Sequence, residues 1–144
     1  MLSESDIQIW SVDLNLDLQQ IAEFRQFLTA QEQQRAAKFI NPTHGNRWIV
    51  ARGYLRQILS QYLDLTPAQI VFTYGQQGKP ELEGSQLQFN LSHSHDRAVY
   101  GISGKYPIGI DLEYIHPLPA ADLVDRFFSP AEQAIFHRDR KSVV

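Results

Sequence analysis

The 144-residue sequence contains no cysteine. That excludes a disulfide framework, a thiolate nucleophile and thiolate metal ligands. It also has no uninterrupted apolar run approaching the roughly 20 residues that a membrane-spanning helix requires. The opening residues, Met1-Leu-Ser-Glu-Ser-Asp6, lack the basic stretch and apolar core of a signal peptide, so a cytoplasmic protein is expected, with no membrane partner. Positive charge is in short supply. The 13 Lys and Arg face 16 Asp and Glu, a net charge of −3, which disfavours broad binding to a nucleic-acid backbone. No repeat, low-complexity tract or linker interrupts the chain. What is present, 43% apolar and 20% charged residues with 8 Phe, 6 Tyr and 2 Trp, is the composition of a folded domain.

The apolar pattern changes period along the chain. Ile7 to Leu14 alternates in part and reads as a strand, and from Leu18 the spacing of Ile21, Phe24 and Leu28 is helical. Thr29 and Glu32 form the side-chain pair of a capping box, which opens a short helix ending before Asn41-Pro42. A longer helix is expected from about Gly45 to Leu63, with Trp48, Ala51, Leu55, Ile58 and Tyr62 on one stripe. Arg47, Arg52 and Arg56 fall on its other face, which reads as a solvated surface.

Thr66-Pro67 caps a short turn before a strand at 70–74. Gly75 to Pro80 reads as a turn, Leu87 to Leu91 alternates as a strand, and Ala98 to Ile102 and Ile108 to Ile115 read as two more. After Pro117 the helical period returns, and Ser129-Pro-Ala-Glu132 offers a second capping box.

The run Pro107-Ile-Gly-Ile-Asp-Leu-Glu-Tyr114 places two carboxylates two residues apart. On a strand, Asp111 and Glu113 would share one face while Ile110 and Leu112 take the other. Carboxylates that close repel, and a hard cation such as Mg²⁺ relieves the repulsion while completing its shell with water and phosphate oxygens. A solvated strand face, or ion pairs to arginines, is the competing reading of the same spacing.

Ser92-His-Ser-His-Asp96 reads as the exit of a strand, where imidazole and hydroxyls can meet phosphate or simply cap a turn. His93 and His95 could alternatively hold zinc, as in a hydrolase, although Arg97 stands where a metallohydrolase motif needs Asp. Lys79, on the Gly78-Lys-Pro80 turn, is a further candidate phosphate contact.

Taken in order, Arg35-Ala-Ala-Lys-Phe39, Gly78-Lys-Pro80, Phe89-Asn-Leu-Ser-His-Ser94, Pro107 to Glu113 and Arg126-Phe-Phe-Ser129 with Glu132 resemble the 4′-phosphopantetheinyl transferases of the large, surfactin-synthetase-activating type. The resemblance implies an α+β fold. Residues 1–116 would form the N-terminal half of a pseudo-dimer, an antiparallel sheet packed with helices, and 117–144 would begin the second half. It implies transfer of the phosphopantetheine arm of coenzyme A to a serine of an acyl or peptidyl carrier protein, releasing 3′,5′-adenosine bisphosphate.

By the same resemblance, Asp111 and Glu113 are the Mg²⁺ ligands and count, with His93, as the catalytic set. Ser92 and His93 are phosphate contacts, and Lys79 and Arg47 are cationic contacts around the nucleotide. The family's third motif, Trp-x-x-Lys-Glu, is missing: no Trp lies beyond Trp48. The expectation is accordingly of a truncated chain that exposes an apolar sheet surface and self-associates. An inactive half that only binds coenzyme A or metal is the alternative to a working transferase.

Overall fold

The computed structural model of the chain describes residues 2–113. The compact unit formed by this region ends at Asp111. Its elements run β1 (Ile7–Asp13), α1 (Leu18–Arg25), α2 (Ala30–Ala37), α3 (Pro42–Ser60), a 3-10 turn (Pro67–Gln69), β2 (Phe72–Tyr74), β3 (Pro80–Leu82), β4 (Gln88–Ser94) and β5 (Arg97–Ser103). An antiparallel three-stranded sheet in the order β1-β5-β4 and a β2-β3 hairpin complete an α+β architecture, as the sequence implies.

α3 is the spine of the fold. It starts three residues earlier than the apolar stripe suggests, because Asn41 caps it through Thr43 N–H at 2.9 Å and Pro42 takes the first helical position, where no N–H is needed. Leu55, Ile58 and Leu59 of α3 pack with Ile21 and Phe24 of α1 and with Phe89, Tyr100 and Ile102 of the sheet. α1 sits so close that a Cβ on Gly53 would lie 2.3 Å from Phe24 Cδ1, which makes glycine a packing requirement there. The expected capping box of Thr29 with Glu32 forms, and Asp17 with Gln20 makes another at the start of α1.

The arginine face of α3 departs from the sequence reading. Arg52 and Arg56 are not solvated: they are 8% and 1% exposed and converge on Glu32, itself 5% exposed. Glu32 Oε2 lies 3.1 Å from Arg52 Nη1, and Glu32 Oε1 lies 2.7 Å from Arg56 Nη2. Arg56 Nη1 also donates to the carbonyls of Pro67 and Ile70, at 3.0 and 2.7 Å, so the charges are covered by hydrogen bonds on all sides. An acid placed by a capping box on the preceding helix turns an apparently exposed face inward.

Two strand expectations also change. β4 continues through Ser94, so Ser92 and His93 are strand residues and the β4-β5 loop is only His95-Asp96, with His95 at φ +54°. Residues 107–113 join no strand ladder. Pro107 has no N–H to give, and the Ile110 N–H is taken by the Asn90 side chain at 2.9 Å rather than by a strand carbonyl. Alternation alone therefore does not bring Asp111 and Glu113 to one face. Pro80, read as the end of a turn, opens the strand Pro80–Leu82, which pairs with β2. Residues 114 and 115, the Arg126 to Ser129 motif and the second capping box lie outside the described residues.

Candidate functional site

Successive residues of β4 point to opposite faces of the sheet. Phe89, Leu91 and His93 face the helices, where Phe89 belongs to the buried core and Leu91 packs against it. On that side His93 lines a cleft of about 460 Å³ together with His95, Arg35, His44, Arg47 and Trp48. Leu14, Phe39 and Ala51 complete its wall. Two arginines and three imidazoles around an aromatic ring make this cleft suited to an anionic, partly planar ligand. Arg47 is held by Nε donating to Asn15 Oδ1 at 3.2 Å.

A second cleft, of about 540 Å³, runs beside α2 and the β2-β3 hairpin and is lined by Thr29, Gln31, Glu32, Arg56, Ile70, Phe72, Tyr74 and Gly78, among others. Trp48 and Arg35 line both clefts. The Arg35 and Arg52 guanidinium carbons lie 5.4 and 5.0 Å from the Trp48 ring centroid, within cation-π range.

Lys79 is exposed on the β2-β3 turn, as the sequence suggests, but it does not line the cleft that holds Arg47 and His93. It lines a smaller hollow of about 210 Å³ with Gln88 and Phe89, and another with Asn90 and Leu91. Lys79 therefore stands along β4, the edge strand of the three-stranded sheet.

The opposite face of β4 carries Asn90 and Ser92. Ser92 Oγ donates to Asp111 Oδ1 at 3.2 Å, and the Asn90 contact to Ile110 N–H fixes the preceding residue. The segment passes over Gly101, where a Cβ would come within 2.8 Å of Ile108 Cδ1. Asp111 and Glu113 are both exposed.

Magnesium or zinc would make different demands on these residues. Among the described residues, no three His, Cys, Asp or Glu side chains gather into a metal site. Protein-bound zinc needs three or four such ligands, whereas Mg²⁺ is commonly held by one or two carboxylates with water and phosphate oxygens. The exposed carboxylate of Asp111, oriented by the Ser92 hydroxyl, is a donor of the kind Mg²⁺ takes, whereas His93 and His95 alone fall short of a zinc set.

Beneath the site, Tyr100 OH donates to the Ala51 carbonyl at 2.6 Å. Burial first, and then Tyr54, push its pKa well above the ordinary phenol range, so it stays protonated and holds β5 to α3.

The sequence reading missed His44, Arg35 and Trp48 as cleft residues. Arg35 stood in a quoted motif without a role, and Trp48 was counted as core stripe. The available signal was the i, i+3 pairing of His44 with Arg47 at the start of α3, which puts both on one side of the helix.

Residues 16–103, from the approach to α1 through β5, match the family model described as 4'-phosphopantetheinyl transferase, N-terminal. Over 136 residues the chain is 38% identical to the 4'-phosphopantetheinyl transferase HetI of Nostoc sp., covering 91% of this chain and 57% of that protein. A putative 4'-phosphopantetheinyl transferase of Synechocystis sp. is 36% identical over 129 residues, covering 87% of this chain and 52% of the relative. A 4'-phosphopantetheinyl transferase of Bacillus pumilus is 32% identical over 127 residues, covering 88% and 54% respectively. The chain spans about half the length of these curated relatives. With the α+β fold and a cleft suited to an anionic ligand, these matches establish that the chain belongs to the 4'-phosphopantetheinyl transferase family.

Proposed function

We propose that this chain is the coenzyme A-binding half of a transferase of the large, surfactin-synthetase-activating type, with residues 1–116 as the N-terminal half and 117–144 opening the next. The reaction moves 4′-phosphopantetheine from coenzyme A to a serine of an acyl or peptidyl carrier protein. A serine O–P bond forms, a pyrophosphate P–O bond breaks, 3′,5′-adenosine bisphosphate departs and the serine proton is released. A cytoplasmic setting, where both substrates occur, and no nucleic-acid or membrane partner go with this reading.

The observation that carries it is the gathering of Arg35, Arg47, His44, His93 and His95 around Trp48 in one cleft. Cations and imidazoles receive the phosphate of the nucleotide end, and the indole offers a face for the base. Ser92 and His93 are neighbours in sequence but face opposite sides of β4. A ligand that meets both must cross the outer edge of that strand, and Lys79 stands along that edge to meet its pyrophosphate. Ser92, on the far side, orients Asp111, which together with Glu113 would hold Mg²⁺. When bound, Mg²⁺ supplies charge neutralisation on the pyrophosphate as the P–O bond breaks.

The test is intact-protein mass spectrometry of an apo carrier protein incubated with the 144-residue chain, coenzyme A and Mg²⁺, beside Asp111→Ala. A mass gain of one phosphopantetheine that the variant loses supports the transferase reading. A second reading, a half that binds coenzyme A without transfer, draws support from the absence of a third acidic or imidazole ligand among the described residues. Binding without a mass gain selects it, and neither binding nor gain sinks both.

A further inference from the structure

The two clefts share a wall, and the residue behind that wall lines neither of them. Arg52 is buried, and its Nη1 serves two oxygens at once: Glu32 Oε2 at 3.1 Å and Tyr74 OH at 2.8 Å. Its guanidinium carbon also lies 5.0 Å from the Trp48 ring centroid and 5.2 Å from that of Phe72. One planar cation thus touches α2 through Glu32, its own helix through Trp48, and the β2-β3 hairpin through Tyr74 and Phe72. The hairpin joins the helices here through a side-chain hydrogen bond and ring contacts rather than through a strand ladder.

We propose that Arg52 is a positioning residue: anchored by Glu32, it fixes the Trp48 indole and the Tyr74 end of the β2-β3 hairpin relative to each other, and so sets the spacing between the aromatic wall of the cleft and the turn that carries Lys79. Its role toward a ligand rests on the reading that these clefts receive the nucleotide end of coenzyme A. Lysine cannot replace it, because an ammonium offers no plane to lie on the indole and no rigid in-plane pair of N–H groups, such as those of Nη1, to hold two oxygens at fixed directions. Tyr74 is about half exposed, at 49%, so its hydroxyl is there for the Arg52 contact rather than for the core. It can therefore be removed without opening a cavity.

The experiment uses the full chain in a Trp10→Phe background, which leaves Trp48 as the sole tryptophan. Tyr74→Phe and Arg52→Lys are compared with this parent by acrylamide quenching of Trp48, by thermal melting, and by titration with coenzyme A. Arg52→Lys risks the fold, since it disturbs a buried ion pair, whereas Tyr74→Phe removes one oxygen from a half-exposed ring. For Tyr74→Phe the chain should still melt cooperatively, its midpoint lowered only by the loss of one hydrogen bond to Arg52, Trp48 quenching should rise at least about twofold, and the coenzyme A dissociation constant should rise about threefold to tenfold, the equivalent of one hydrogen bond. Unchanged quenching in Tyr74→Phe overturns the positioning role, whatever coenzyme A does. A changed quenching constant with unchanged coenzyme A affinity overturns its bearing on the ligand. If the parent itself fails to bind coenzyme A while quenching responds as expected, the ligand reading falls and the positioning of Trp48 stands.

Discussion

Replacing Glu32 with glutamine keeps the side chain's shape and removes its charge, which isolates what that charge does between Arg52 and Arg56. In the native chain one carboxylate faces both guanidinium groups, at 3.1 and 2.7 Å, and Oε1 also accepts the Thr29 N–H at 2.9 Å. Glutamine can keep the cap with its remaining oxygen, yet it leaves two buried cations without a counter-ion. Removing one partner of a buried pair costs about 3–5 kcal/mol, because the other charge stays buried and uncompensated. Against the 5–15 kcal/mol that stabilises a domain as a whole, this is a large fraction.

Urea denaturation of the two proteins is the assay, with the midpoint shift read at constant m value. A double-mutant cycle sharpens it. In an Arg52→Met background one of the orphaned cations is gone, so Glu32→Gln should cost less there than in the native chain, with a coupling of about 0.5–3 kcal/mol. The exposed pair of Lys105 with Glu4, 3.9 Å apart with side chains 48% and 64% exposed, is the internal control. Glu4→Ala should change stability by less than about 0.5 kcal/mol. A cost below about 1 kcal/mol for Glu32→Gln, or none of the expected coupling, would refute the account of the triad as mutually dependent buried charges.

Gly53→Ala should destabilise by about 1–3 kcal/mol, since the new Cβ would sit 2.3 Å from Phe24 Cδ1 and α1 must move; an unchanged melting temperature would show that the helices are not so closely set. Tyr100, with its pKa raised above the ordinary value of 10.0, favours the folded state fully below about pH 10. Above that the unfolded chain loses the phenol proton first, so stability falls by up to about 1.4 kcal/mol per pH unit. Tyr100→Phe should flatten that alkaline fall, and an identical slope in the two proteins would count against it. Arg47→Ala, on the partly exposed start of α3, should weaken coenzyme A binding at least about tenfold with little change in fold, measured by calorimetry; equal affinity would remove Arg47 from the ligand set.

Much of the fold is legible in the order of residues because local chemistry and packing agree. Thr29 with Glu32 and the spacing of Ile21, Phe24 and Leu28 each mark an element, and each sits where its chemistry places it, whereas Asn41 with Pro42 reads as the end of one helix and also starts the next. The alternation of Leu87, Phe89 and Leu91 likewise leads into and marks the inner face of β4, which begins at Gln88. The same logic misread Arg52 and Arg56, because periodicity reports which residues share a face but not what will cover it. Their cover comes from Glu32, 20 and 24 residues away, and from the carbonyls of Pro67 and Ile70. Over the described residues 108–113, the strand expected from Ile108 does not form, for a similar reason. Its apolar alternation is suited to a sheet, but the Asn90 side chain takes its Ile110 N–H before a neighbouring strand can.

The candidate site was legible as a set of residue types and not as an arrangement. Ser92 and His93 read as one phosphate-binding unit because they are adjacent, yet a strand separates adjacent side chains by its whole thickness. The same pleat that splits them gives the edge strand β4 two chemical faces, imidazole with arginines on the helix side and hydroxyl with carboxylate on the other. Lys79 lies along the border between the two. A ligand that carries a phosphate on one side of its nucleoside and a pyrophosphate on the other can use both faces at once, whereas a compact anion can use only one. If that is the logic of the site, His93→Ala should weaken the binding of 3′,5′-adenosine bisphosphate and of coenzyme A alike, while Ser92→Ala should alter only the Mg²⁺ dependence of coenzyme A binding. Equal effects of both substitutions on both ligands, measured by calorimetry with and without Mg²⁺, would mean that the two faces do not divide the ligand between them.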